Sequence, residues 1–341
     1  MKRMIMLLIA LGALFGAVLP AQQGPPNEAP KTADTSPHTV QLVTVEKDVK
    51  LEVLDWGGTG RPLVLLTGIG DTAHVFDTFA PKLVPAYHVY GITRRGFGAS
   101  SAPKPDCENY SADRLGDDIL TVIDALKLGR PVLVGHSIAG EELSSIGSRH
   151  PEKVAGLIYL DAGYAYAYYD DHAAQGVWMF DSSLLRRELE QFSSPAPPRE
   201  RKTQTKHLLE ISLPRFERDL QEYQKQLQAV PDNSPGPPDT PRVRSNVAIL
   251  KGIQIYKGVK CPVLAIFADP HALGPQAGAD PTQRAAMIAD DLARTSEQAD
   301  AFQAGNPSAD VVRLPNAEHR VFQSNEADVL REMIAFIAKL P

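Results

Sequence analysis

The run PVLVGHS, residues 131–137, constrains this chain more than any other segment. It is short and almost wholly apolar, so a strand made from it is buried on both faces, as in a parallel sheet covered by helices. Small residues, Ala139 and Gly140, open a helix expected to run from Ala139 to about His150. Other runs repeat the rhythm: PLVLLTG (62–68), HVYGITR (88–94), VAGLIYLDA (154–162), CPVLAIFA (261–268) and DVVRLP (310–315) read as strands. In the stretch 112–128, Leu115, Ile119, Val122, Ile123 and Leu126 fall at helical spacing, and 326–340 is a closing amphipathic helix. HVFDTFAPKLV (74–84) also looks helical. The fold class is therefore α/β, a mostly parallel sheet with helices on both faces. VQLVTVE (40–46) and LEVLDW (51–56), joined without a helix, suggest an antiparallel edge.

The rhythm breaks over about 164–256, which holds YAYAYYD, Trp178, two Pro-rich segments and a polar helical run over 200–229. Because strands resume afterwards, this stretch reads as an insertion into one domain spanning 38–341.

Ser137 stands where a buried strand turns directly into a helix. So tight a turn forces a strained backbone and requires small neighbours, here Gly135, Ala139 and Gly140, and it leaves the Ser hydroxyl exposed at the sheet's carboxyl end. The N–H of Ile138 at the helix start can then stabilise an oxyanion. A Ser hydroxyl needs a neighbour to take its proton. His319 in LPNAEHRVF, after a strand and before the last helix, lies at the same sheet edge. The carboxylate that would orient it is open between Asp269, after the strand 261–268, and Asp161, at the end of the strand 154–162. Both preserve the chain order Ser, acid, His.

Four motifs, LLTGIG, TRRGFGAS (93–100), GHSIAG and NAEHRVF, resemble those of the α/β-hydrolase superfamily, in the branch of epoxide hydrolases, haloalkane dehalogenases and small esterases. The resemblance covers about Val40 to Leu340 outside the insertion. It implies an α/β-hydrolase fold with a helical lid at the insertion, and a second oxyanion donor at Ile69. It implies no cofactor. Thr67 stands where the family usually has His, and His271 stands where its acid usually falls, two residues after Asp269. Epoxide hydrolases and dehalogenases carry Asp at the nucleophile position, so Ser137 favours acyl chemistry on a small ester or related compound. A cofactor-free lyase or perhydrolase, or a non-catalytic binding homologue, remain the alternatives.

Gly68, His136, Tyr164 and Trp178 are candidates for the substrate pocket, although the His136 side chain is expected to turn away from Ser137 and pack. Arg94 and Arg95 read as loop-bracing ion-pair residues. No spacing suggests a metal site. A net charge of −6 without any basic cluster gives no reason to expect nucleic acid; the expected partner is a small acyl substrate. Lys2 and Arg3, the apolar run to Leu19, then Pro20 and Ala21 have the form of a signal peptide (1–21), followed by a disordered leader (22–37). Export without lasting membrane insertion is the expectation, with an uncleaved N-terminal anchor as the alternative. Cys107 and Cys261 could pair only if the fold brings them together.

Overall fold

The structure is a computed structural model that describes residues 37–170, 178–228, 230–274 and 280–341. The expected export signal and nearly all of the leader lie outside these residues. Among the described residues, no helix is long and apolar enough to cross a membrane.

Eight strands form one sheet: β1 (Thr39–Glu46), β2 (Val49–Gly57), β3 (Pro62–Leu66), β4 (His88–Ile92), β5 (Val132–His136), β6 (Gly156–Leu160), β7 (Val263–Ala268) and β8 (Asp310–Leu314). Their spatial order is β1-β2-β4-β3-β5-β6-β7-β8. β1 and β2 pair antiparallel, as does β2 with β4, and every later pair is parallel. The antiparallel edge follows from the short β1–β2 connection, since a parallel pair needs a crossover of a dozen or more residues. The middle strands β3, β5, β6 and β7 are buried almost throughout, as continuous apolar runs dictate.

Helices α1 (Ala112–Ala125) and α2 (Ala139–Arg149) cover one face, with Leu115, Ile119, Leu143 and Ile146 in its core. Ser111 caps α1, its hydroxyl accepting from the Arg114 N–H at 3.3 Å. Between β6 and β7 the chain forms α3 (Trp178–Ser193), α4 (Pro198–His207), a π turn at Leu208–Ser212, α5 (Leu213–Leu227) and α6 (Pro241–Gly252). A 25-residue helix, α7 (Pro281–Gly305), joins β7 to β8, and α8 (Val321–Ser324) and α9 (Glu326–Ile337) end the chain. On the opposite face, Val329, Met333 and Phe336 of α9 pack with Phe76, Phe79 and Phe322.

The stretch 74–84 is not one helix. It makes two 3₁₀ turns, Ala73–Phe76 and Ala80–Lys82, because Pro81 has no N–H to donate to a continuing ladder. Cys107 and Cys261 are free thiols, and burial pushes the Cys261 thiol up to about 12.

Parallel register brings the carboxyl ends of five strands to one edge. Leu66 lies beside Gly135, His136 beside Leu160, Leu160 beside Ile266, and Ala268 beside Leu314. A further parallel bridge between His271 and Ala317 extends the β7–β8 pairing beyond both strands. The loops that carry Gly68, Ser137, Asp161, His271 and His319 therefore emerge side by side.

Candidate active site

Ser137 sits between β5 and α2 with φ of 55°, in the left-handed region that L side chains rarely adopt. Its N–H donates to the Leu160 carbonyl at 3.2 Å, and its own carbonyl accepts from Gly140 at 2.9 Å, which pins both sides of the turn. The small neighbours are needed. A Cβ at Gly140 would lie 2.0 Å from the Ala162 carbonyl oxygen, and one at Gly135 would meet Leu143 at 2.9 Å.

The Ser137 hydroxyl lies 2.8 Å from His319 Nε2. On the other side of that ring, His319 Nδ1 donates to Asp161 Oδ2 at 2.6 Å. The loop after β8 brings the imidazole over the Ser137 hydroxyl, and the loop after β6 brings the carboxylate under the imidazole. Asp161, also at positive φ (47°), is fully buried. Its Oδ1 accepts from the Ala268 N–H at 3.0 Å and the Tyr164 hydroxyl at 2.7 Å. Burial opposes its ionisation, but His271 and His319 outweigh that and hold the carboxyl well below the usual carboxylate range.

Of the two carboxylates the sequence left open, Asp161 is therefore the one at His319. Asp269 is elsewhere: its carboxylate accepts from Thr295 at 2.7 Å, Ser296 at 3.0 Å and Arg313 at 2.8 Å, tying β7 to α7 and β8. The geometry also adds a residue whose part the sequence did not reveal. His271 Nε2 donates to the same Asp161 Oδ2 at 2.8 Å, while its Nδ1 donates to Asp291 Oδ2 of α7 at 3.1 Å. Burial alone would lower the basicity of His271, but the two carboxylates raise its pKa to about 10. The visible signal was a His at the position where an acid was expected.

The pocket candidates divide. Gly68 packs on Ser137, since a Cβ there would be 3.4 Å from Ser137 Cβ and 2.9 Å from His136 Nδ1. His136 is 2% exposed and its Nε2 donates to the His319 carbonyl at 3.1 Å, so it holds the His319 loop instead of lining a pocket. Burial, with His319 beside it, lowers the His136 pKa to about 3, which keeps the ring neutral. The Tyr164 hydroxyl is committed to Asp161, and Trp178 stacks on Tyr223 of α5 at 4.8 Å. Tyr166 is deeply buried, and burial raises its hydroxyl pKa well above the ordinary value. Neither the Ile69 nor the Ile138 N–H has a backbone partner among the described residues.

Arg94 braces this arrangement. Its Nη2 donates to the Thr67 carbonyl at 2.9 Å and to Glu142 Oε2 of α2 at 2.9 Å, and its Nη1 donates to the Gly68 carbonyl at 3.3 Å. The loop bearing Ile69 and the helix start bearing Ile138 are thus tied through one buried guanidinium. Arg95 does the same for the neighbouring loop, donating to Asp118 at 2.6 Å and Glu46 at 3.0 Å.

Among the described residues, two trios of ligand-type side chains bring donor atoms within 4.8 Å of one another: His38, His74 and Asp77, and Asp161, His271 and His319. In the second, the carboxylate oxygen already accepts from both rings, and His271 carries hydrogen on both nitrogens, so no lone pairs converge on a cation. In the first, Asp77 lies 3.5 Å from His38 Nδ1 and 3.1 Å from His74 Nδ1.

Residues 61–236 match the family model for the alpha/beta hydrolase fold. A fluoroacetate dehalogenase from Burkholderia sp is 33% identical over 117 residues, 34% of this chain and 38% of the dehalogenase. A bifunctional epoxide hydrolase 2 from Rattus norvegicus is 29% identical over 137 residues, covering 39% of this chain and 24% of that protein. The chain thus spans well under half the length of these curated relatives. Among solved structures, E-2-(acetamidomethylene)succinate hydrolase superposes with a TM-score of 0.54 at 18% identity, over 88% of this chain and 99% of the other. The epoxide hydrolase of Bacillus megaterium gives 0.53 at 19% identity, over 88% and 100%. At such identities these superpositions show the fold alone.

Proposed function

The chain belongs to the alpha/beta hydrolase fold family, and on that premise we propose that it is a serine hydrolase cleaving a small ester or related acyl compound. The observation that carries the reading is the continuous line from Ser137 Oγ through His319, at 2.8 Å, to Asp161, at 2.6 Å. Three groups in that order are what an acyl transfer needs.

In this reading His319 takes the Ser137 proton as Oγ attacks the acyl carbon, and Asp161 stabilises the imidazolium that results. The oxyanion of the tetrahedral intermediate receives the Ile69 and Ile138 N–H groups, the latter also at the positive end of α2. His319 then returns the proton to the leaving alcohol, an acyl-enzyme forms on Ser137, and a water activated by the same ring releases the acid. The family relatives named for dehalogenation and epoxide opening act on other bonds. A Ser at the elbow favours acyl chemistry because an ester of Ser137 is readily hydrolysed. The helices between β6 and β7 serve as the lid, and the N-terminal segment serves for export.

The test is covalent labelling with a fluorophosphonate probe. Labelling at Ser137 that disappears in Ser137→Ala and falls at least a hundredfold in His319→Ala supports the reading. A folded protein whose Ser137 stays unlabelled refutes it.

A further inference from the structure

His271 is placed where its role in the reaction can be read from hydrogen-bond chemistry alone. Both of its ring nitrogens face carboxylate oxygens, Asp161 Oδ2 at 2.8 Å and Asp291 Oδ2 at 3.1 Å. Its backbone N–H also donates to Asp291, at 2.7 Å. An ionised carboxylate only accepts, so each nitrogen must carry hydrogen and the ring is an imidazolium. Its positive charge shares one oxygen of Asp161 with His319, and the two rings are 6.1 Å apart between centroids. Asp161 is thus divided between a permanent cation and the ring facing Ser137.

We propose that His271, held by Asp291, is a positioning residue whose fixed positive charge sets the Asp161 carboxylate under His319 and, through it, the pH dependence of Ser137 labelling. The inference rests on the serine-hydrolase reading above. Its logic is electrostatic. A fixed cation beside Asp161 opposes a second cation on His319, and by hydrogen-bonding to Oδ2 it makes that oxygen a poorer acceptor for His319. Both effects act in the same direction.

The other groups facing His271 do not reverse the sign. From the loop after β6, the Tyr164 hydroxyl lies 3.4 Å from Nε2 while donating to Asp161. From α7, Arg294 pairs with the other oxygen of Asp291 at 3.1 Å, which orients that carboxylate toward His271. Asp269, two residues back, is turned to Arg313 of β8. His319 itself comes from the loop after β8.

The experiment is the rate of fluorophosphonate labelling of Ser137 from pH 5 to pH 9, a readout that needs no known substrate. It compares wild type, His271→Gln and His271→Ala. Glutamine keeps a neutral donor to Asp161 but removes the charge. The acid limb of the His271→Gln profile should move up by roughly one to two pH units, the size expected of one charge at this spacing in a partly screened site. Its plateau at high pH should stay within about threefold of wild type. His271→Ala should show the same displacement with a plateau about tenfold lower, since it loses the donor as well. Unmoved limbs in both variants would assign His271 to packing and overturn the proposal. Should His271→Ala not fold, ¹⁵N NMR of the wild-type imidazoles gives an independent answer. His271 should stay protonated on both nitrogens at pH 8, and loss of either proton at or below that pH would overturn the proposal. Failure of wild type to label at any pH would instead defeat the serine-hydrolase reading itself.

Discussion

Replacing Arg94 by Met separates what holds the site together from what the site does. Arg94 is 5% exposed, and its partner Glu142 is 2% exposed. Methionine fills much of the same volume with an apolar stem, so packing survives while the donors vanish. Three losses follow: the paired hydrogen bonds to Glu142, and the single bonds to the Thr67 and Gly68 carbonyls. Glu142 would be left a buried carboxylate without a counter-charge, next to Glu141, whose own buried oxygens have no hydrogen-bond partner among the described residues. Removing one partner of a buried ion pair costs about 3–5 kcal/mol. With Tm falling roughly 2–4 °C per kcal/mol in domains approaching this size, the variant should melt about 6–20 °C lower. The double variant Arg94→Met/Glu142→Gln removes the orphaned charge and should regain most of that stability. It should not regain activity. Without the carbonyl clamps, the loop bearing the Ile69 N–H is no longer fixed to α2, and a loss of about 10²–10³ in kcat is expected, the size of one oxyanion donor. Urea denaturation and fluorophosphonate labelling of the three proteins read the two effects separately. A single variant less than about 1 kcal/mol destabilised, or a double variant as unstable as the single, would refute the buried-charge argument.

Three further outcomes follow from the same geometry. Asp161→Asn turns an acceptor into an amide facing two imidazole N–H groups, so labelling and ester hydrolysis should fall about 10³–10⁴-fold, whereas Asp269→Asn, which touches only β8 and α7, should stay within about tenfold; the reverse order would exchange their roles. Gly140→Ala places a Cβ 2.0 Å from the Ala162 carbonyl oxygen and should displace the Ser137 turn, slowing labelling more than tenfold in a protein that still unfolds cooperatively; unchanged labelling would show that the turn has slack. His271, with its folded pKa raised to about 10, should stabilise the protein fully below pH ~6.5 and lose that contribution as pH rises toward 10, by at most roughly 5 kcal/mol. Urea midpoints at pH 6.5, 8 and 10 should therefore decline in wild type and flatten in His271→Gln, and parallel curves would contradict the buried imidazolium.

How much of this was written in the sequence depends on how local each signal is. Strand, turn and helix around Ser137 are specified by adjacent residues, so Gly135, Ser137 and Ala139 could be read together, and Arg94 and Arg95 could be read as braces. His319 was legible from its place after an apolar strand. The choice between Asp161 and Asp269 was not, because both end buried strands and both point toward one sheet edge. What decides it lies on α7, a helix missing from the sequence reading although Pro281 marks its first turn. Its buried stripe runs Met287, Asp291, Thr295, Ala299 and Phe302, at spacings of three and four. Two of those five positions are polar, so the apolar periodicity that announces a helix is broken where it is deepest. Those two residues also hold the two carboxylates in their places: Thr295 takes the Asp269 carboxylate, and Asp291 holds His271 against Asp161. The helix was hidden from a hydrophobic pattern because its core positions do electrostatic work, and that work leaves Asp161 as the carboxylate within reach of His319.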